Sequence, residues 1–145
     1  MNNRIIRKLE PGDADAVSRI AASITNEYDS ADFVRIASGQ TQSEDDISLV
    51  VEQDNCLIAY CISHVLAGTF GIEKSAWIGM LGVDPKFMGQ GIGEMLAKEI
   101  LKEYFQRGIK DIYAPVRWDS SDLLSFLKTL GFQRSDFINL HKIIE

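Results

Sequence analysis

The stretch Met80-Leu81-Gly82-Val83-Asp84-Pro85-Lys86-Phe87-Met88-Gly89-Gln90-Gly91-Ile92-Gly93 constrains this chain more than any other feature. β-type residues run to Val83 and stop at Asp84-Pro85, and from Ile92 the positions Met95, Leu96, Ile100, Tyr104 and Phe105 recur at helical spacing. A glycine-rich loop therefore stands between a strand and a helix. Glycines let the backbone turn tightly and approach a ligand, and the unpaired N–H groups of a helix's first turn, at the positive end of its dipole, form an anion site that suits a pyrophosphate. Gly89-x-Gly91-x-Gly93 is not the G-x-G-x-x-G dinucleotide fingerprint, and no Gly-Lys-Ser/Thr follows as a P-loop requires. A tight strand–helix turn without a ligand is the plain alternative for three alternating glycines alone.

The rest of the chain supplies elements around that loop. Residues 4–9 read as a short strand stopped by Pro11-Gly12, followed by a helix capped by Asp13, with Asp15 in its first turn and Val17, Ile20, Ala21 and Ile24 along one face. Phe33, Val34, Ile36 and Ala37 predict a brief second helix, and residues 39–46 a polar loop. Strands over 47–52 and 56–66 flank Gln53-Asp54-Asn55, whose Asp-Asn pair tolerates the left-handed backbone of a tight antiparallel hairpin. The strand over 75–83 carries Gly79 and Gly82, which inside a strand mark a bulge or a close backbone approach. After the loop helix and Gly108 as its C-terminal cap comes a strand over 110–116, where Pro115 has no N–H for a ladder and forces an edge or a divergence. A helix over 119–130 follows, with Leu123, Leu124, Phe126, Leu127 and Leu130 inward, Gly131 as cap and Asp119 as N-cap; a final strand spans 137–144. The order βα(α)βββ-loop-αβαβ describes a single α+β domain over residues 1–145.

Bulk properties narrow the partners. A chain of 145 residues that is 46% apolar and 25% charged buries enough surface to fold without staples. Its net charge of −6 opposes nucleic-acid binding, which rests on neutralising phosphates with Lys and Arg, and mildly favours approach of a cationic amine. No window approaches the ~20 apolar residues that span a bilayer, so no membrane role is expected. Cys56 and Cys61 fall on opposite faces of one strand with no metal-ligand partner nearby and read as reduced thiols of a cytoplasmic protein.

The loop resembles the acetyl-CoA-binding motif of the GNAT superfamily of N-acetyltransferases, commonly Arg/Gln-x-x-Gly-x-Gly/Ala after a strand ending apolar-Val-x-Pro. Leu81-x-Val83-Asp84-Pro85 matches the strand end and Gly91 and Gly93 the two small positions, whereas Met88 stands where Arg or Gln is usual. The resemblance extends in element order over nearly the whole chain, to the helix ending Leu130-Gly131-Phe132. It implies a central mixed, mostly antiparallel sheet flanked by helices and splayed between the strand before the glycine loop and the next one. It further implies acetyl-CoA as co-substrate, its pantetheine along Leu81, Gly82 and Val83 and its pyrophosphate on Met88, Gly89, Gln90, Gly91, Ile92, Gly93 and Glu94. Ser120 and Phe126 are weaker contacts from the last helix, with Asp119 and Ser125 beside them.

The implied reaction is acetyl transfer to a primary amine, of a small molecule or of a protein. It needs a neutral nitrogen, a donor for the thioester oxyanion and, in many relatives, a proton for the thiolate. The family's usual tyrosine acid falls at Leu127, leaving Tyr113 as a substitute, although a strand tyrosine is more often packed with its hydroxyl at the surface. A thiolate also leaves unprotonated, since thiols ionise near ~8.5, so positioning with the Leu81 or Val83 N–H as oxyanion donor suffices. Base candidates are Asp119, Glu73 and Asp122, each as readily a solvated surface charge; His64 and His141 read as ordinary satisfied imidazoles. Trp118 and Asp119 either wall an acceptor pocket or serve packing and capping. The rival reading, motivated by Leu127 and Met88, is a CoA-binding regulatory module without turnover. Pairing of two copies through the last strand, giving a homodimer, is compatible with the sequence, and no pattern demands it.

Overall fold

The computed structural model describes residues 3–25, 44–68 and 70–145; the second helix expected around residues 33–37 lies outside them. The chain divides into two compact units, Met1–Pro115 and Val116–Glu145.

The first unit is built on a five-stranded sheet of order β1-β2-β3-β4-β5, with β1 at Arg4–Lys8, β2 at Leu49–Gln53, β3 at Cys56–Leu66, β4 at Ser75–Val83 and β5 at Ile112–Tyr113. β1 through β4 pair antiparallel, and β4 pairs β5 in parallel. The β2–β3 hairpin turns on Asp54 (φ 53°) and Asn55 (φ 68°), the two left-handed residues its geometry demands. Helix α1, Ala14–Thr25, lays Val17, Ile20 and Ala21 against Val50, Tyr60 and Ile62 on one face of the sheet. Helix α2, Ile92–Gln106, packs across β2, β3 and β4 and buries Ile92, Leu96, Ala97, Ile100 and Tyr104. Each Val, Ile or Leu side chain buried this fully contributes about 1.5–3 kcal/mol.

Both glycine expectations for β4 hold. Register passes from Ile62↔Met80 to Ser63↔Ile78, so Gly79 is the extra, unpaired residue of a bulge. At Gly82 a Cβ would meet the Tyr60 ring at 2.7 Å, so only glycine admits that ring.

β4 and β5 pair only at Ala76↔Ile112 and Trp77↔Tyr113, so among the described residues Ile78–Val83 has no strand partner on that side. The strand expected over 110–116 shrinks to two residues for the reason Pro115 supplies: without an N–H it cannot continue the ladder.

Three local expectations change. Asp13 does not cap α1 directly but ends a 3-10 turn, Pro11–Asp13, where its Oδ2 accepts from the Glu10 N–H at 2.7 Å. In the second unit, helix α3 spans Ser121–Thr129 with Ser120, not Asp119, at its N-cap; Arg117 holds the Asp119 carboxylate at 3.0 and 3.1 Å and keeps it from capping. Leu127 is buried, while Leu123 and Leu124, expected inward, are half-exposed. Residues 137–144 form no strand: the apolar pattern is there, but no neighbour pairs with it among the described residues.

Candidate active site

The unpaired edge of β4 and the N-terminus of α2 meet at the glycine loop. The Ala76 N–H donates to the Asp111 carbonyl at 3.0 Å, toward β5, whereas the Asp84 N–H donates to the Ile58 carbonyl at 2.8 Å, toward β3. N–H direction alternates along a strand and is reset by the bulge at Gly79. Counting back from Asp84, the N–H groups of Leu81 and Val83 point away from β3, toward the edge that β5 has left. Two backbone donors thus line an opening, a feature that buried backbone rarely leaves without a purpose.

At the end of β4, Asp84 Oδ1 accepts from the Lys86 N–H at 3.0 Å and starts a 3-10 turn, Pro85–Phe87. Gly89 (φ 81°) and Gly91 (φ 77°) then take left-handed conformations, Gly91 as the N-cap of α2. A Cβ on Gly89 or Gly91 would meet nothing within 4 Å, so the space above the loop is open. No side chain caps α2; its first closing bond is Met95 N–H to the Gly91 carbonyl at 3.0 Å, and the N–H groups of residues 92–94 face that open space with the helix dipole behind them.

The expected cofactor residues of the first unit therefore cluster along one path: Leu81, Gly82 and Val83 on the strand, then residues 88–94. Met88 is exposed and the Ile92 side chain is buried in the core, so each would meet a phosphate through its backbone. Glu94, on the first turn of α2, pairs with Lys98 at 2.8 Å. Sequence spacing missed Arg4, whose guanidinium donates to Gln53 Oε1 at 2.6 Å and to Gln90 Oε1, tying the loop to β1.

The other end of the opening is closed by Trp77 and Tyr113, whose rings stack 4.7 Å apart at the last β4–β5 pair. Trp77 Nε1 donates to Ser75 Oγ at 3.0 Å, fixing the indole. A cavity of about 190 Å³ lined by Arg19, Ile20, Ser23, Asp84 and Lys86 adjoins the turn after β4. In the second unit Ser120 and Phe126 are half-buried, and Trp118 carries the Arg134 guanidinium 5.4 Å above its ring. Asp119 is exposed, and its bonds to Arg117 hold its carboxyl below the usual range.

Comparison with known proteins agrees with this geometry. The model of the acetyltransferase (GNAT) family matches residues 14–132. The fold is shared with the aminoglycoside N-acetyltransferase AAC(6')-Iy solved with CoA, at a TM-score of 0.84 and 10% identity over 99% of this chain and 96% of that one. It is also shared with an aminoglycoside acetyltransferase from an uncultured soil metagenomic sample (TM-score 0.77, 16% identity, 98% and 97% covered). A ribosomal-protein-alanine N-acetyltransferase from Brucella melitensis biovar Abortus 2308 gives 0.77 at 15% identity, with 98% and 99% covered. The chain belongs to the GNAT family and is an acetyl-CoA-dependent N-acetyltransferase.

Proposed function

We propose that acetyl-CoA lies along the unpaired edge of β4, its pyrophosphate on the N–H groups at residues 88–94 and its pantetheine bonded to Leu81 and Val83. The observation that carries this reading is the pair of outward N–H donors leading from an uncapped, open helix N-terminus. Entry at the loop directs the thioester toward the Trp77–Tyr113 stack, with a β4 N–H as the oxyanion donor. Tyr113 is the proton source for the departing thiolate. Asp119 remains the anionic partner of Arg117.

The acceptor in this reading is a primary amine of a polycationic small molecule, an aminoglycoside-type amino sugar. A net charge of −6 attracts such a ligand, and aminoglycoside acetyltransferases are among the proteins that share the fold. The two units act as one catalytic domain, a reading supported by a family match that crosses the boundary after Pro115. Two unbridged cysteines favour a cytoplasmic location. The test is thiol release from acetyl-CoA with sisomicin against an alanyl-terminated peptide. Faster release with sisomicin is expected, and release with the peptide alone would reassign the acceptor to a protein amine.

A further inference from the structure

We infer that His64, oriented by Asp46, is the base that takes the proton from the acceptor amine. Past the irregularity at Ile58, β3 pairs residue by residue from Ala59 to Leu66, so His64 shares the face of Tyr60 and Ile62, the face that carries α1. The bulge at Gly79 sets Trp77 directly opposite His64, and Trp77 in turn pairs and stacks with Tyr113. His64, Trp77 and Tyr113 therefore stand side by side on three adjacent strands, across the closed end of the β4–β5 opening. If Gly79 paired regularly with Ser63 instead of bulging, Ile78 would stand opposite His64 and the indole would turn to the other face.

The pair has the build of a proton acceptor. Asp46 Oδ1 is fixed by the Val65 N–H at 2.7 Å, and its Oδ2 lies 3.4 Å from His64 Nδ1. The Asp46 side chain is 4% exposed and the imidazole 35%, so the carboxylate is shielded while the ring reaches solvent. An aspartate on Nδ1 selects the tautomer with its proton there and leaves Nε2 basic; Nε2 has no partner among the described residues. Asp45, next in the chain to Asp46, is ion-paired with Lys74 at 3.4 Å, and Tyr113 stacks on Trp77, the register partner of His64.

The inference rests on the functional reading above. In that reading the amine lone pair forms the N–C bond and the carbonyl π pair moves to oxygen. The proton on the now cationic nitrogen passes to His64 Nε2, directly or through one water. Collapse of the oxyanion then breaks the C–S bond, the departing CoA sulfur takes the Tyr113 phenol proton, and the imidazolium gives its proton, through solvent, back to the phenolate.

The test compares the wild type with His64→Gln and Asp46→Asn, measuring acetyl-CoA binding by calorimetry and sisomicin-dependent thiol release from pH 5 to 9. His64→Gln is expected to bind acetyl-CoA normally and to lose about 10²–10⁴-fold in kcat/KM, the usual range for a positioned base. Added imidazole should restore part of the activity of His64→Gly, a rescue that a packing role would not allow. Asp46→Asn should lower kcat more than it raises KM. A His64→Gln enzyme with wild-type kcat/KM overturns the inference and leaves the functional reading intact. Failure of the wild type to release thiol with sisomicin overturns the acceptor reading and the inference with it.

Discussion

Tyr60 lies across Gly82: a Cβ placed on the glycine would stand 2.7 Å from three atoms of the phenol ring. The two residues are register partners on β3 and β4, so the ring fills the room that the missing side chain leaves beside the outward N–H groups of Leu81 and Val83.

Gly82→Ala is therefore expected to destabilise the protein by about 1–3 kcal/mol, the usual cost of overpacking. Tyr60→Leu in the same chain should recover part of that loss, because removing the ring removes the clash. Urea unfolding of the four proteins of this double-mutant cycle checks it: the midpoints should be non-additive with the m-value unchanged.

A second prediction concerns the far end of α2. The Tyr104 hydroxyl, buried, accepts from the Ile47 N–H at 2.9 Å and shares a hydrogen bond with Ser63 Oγ at 2.6 Å, fastening the helix that carries the glycine loop to the segment before β2 and to β3. Tyr104→Phe leaves the Ile47 donor unpaired in the core and should cost about 1–3 kcal/mol. Differential scanning calorimetry should report the lower transition temperature.

Stability should also depend on the Arg7–Asp13 pair in a defined pH window. Arg7 donates to both Asp13 carboxylate oxygens, at 2.8 and 2.7 Å, and to Glu52 at 2.7 Å. Hydrogen bonding from Arg7 holds the Asp13 carboxyl below its ordinary value in the folded state. A depressed folded pKa means that the unfolded state binds the proton first, so the contribution is complete above about pH 4 and is lost as pH falls through the folded value. Stability of the wild type should drop more steeply below pH 4 than that of Asp13→Asn, and parallel pH profiles would contradict the assignment.

What could be read from residues alone was whatever depends on local backbone geometry. Gly79 and Gly82 announced a bulge and a close approach, Asp54-Asn55 a tight hairpin, and Pro115 the end of β5; each is a conformational constraint that a single residue type reports. The partner of each constraint was not legible. Nothing in the spacing says that Tyr60 is what crowds Gly82, that Arg4 reaches Gln90 across 86 positions, or that Asp46 stands behind His64. Residues 137–144 fail for the same reason in reverse: alternating apolar residues define a face, but a strand also needs a neighbour to take its N–H and C=O groups. His64 read as a satisfied imidazole because the bulge that sets Trp77 opposite it is a relation between two strands.

The central claim is that acetyl-CoA is held by the glycine loop at the start of α2. Gly91 tests it most directly, because a Cβ there would meet nothing within 4 Å, at a backbone cost of about 1–2 kcal/mol for the left-handed conformation. Calorimetric titration with acetyl-CoA should give saturable binding to the wild type and at least about tenfold weaker binding, 1.4 kcal/mol, to a folded Gly91→Trp variant. Equal affinity of the two proteins would contradict the account.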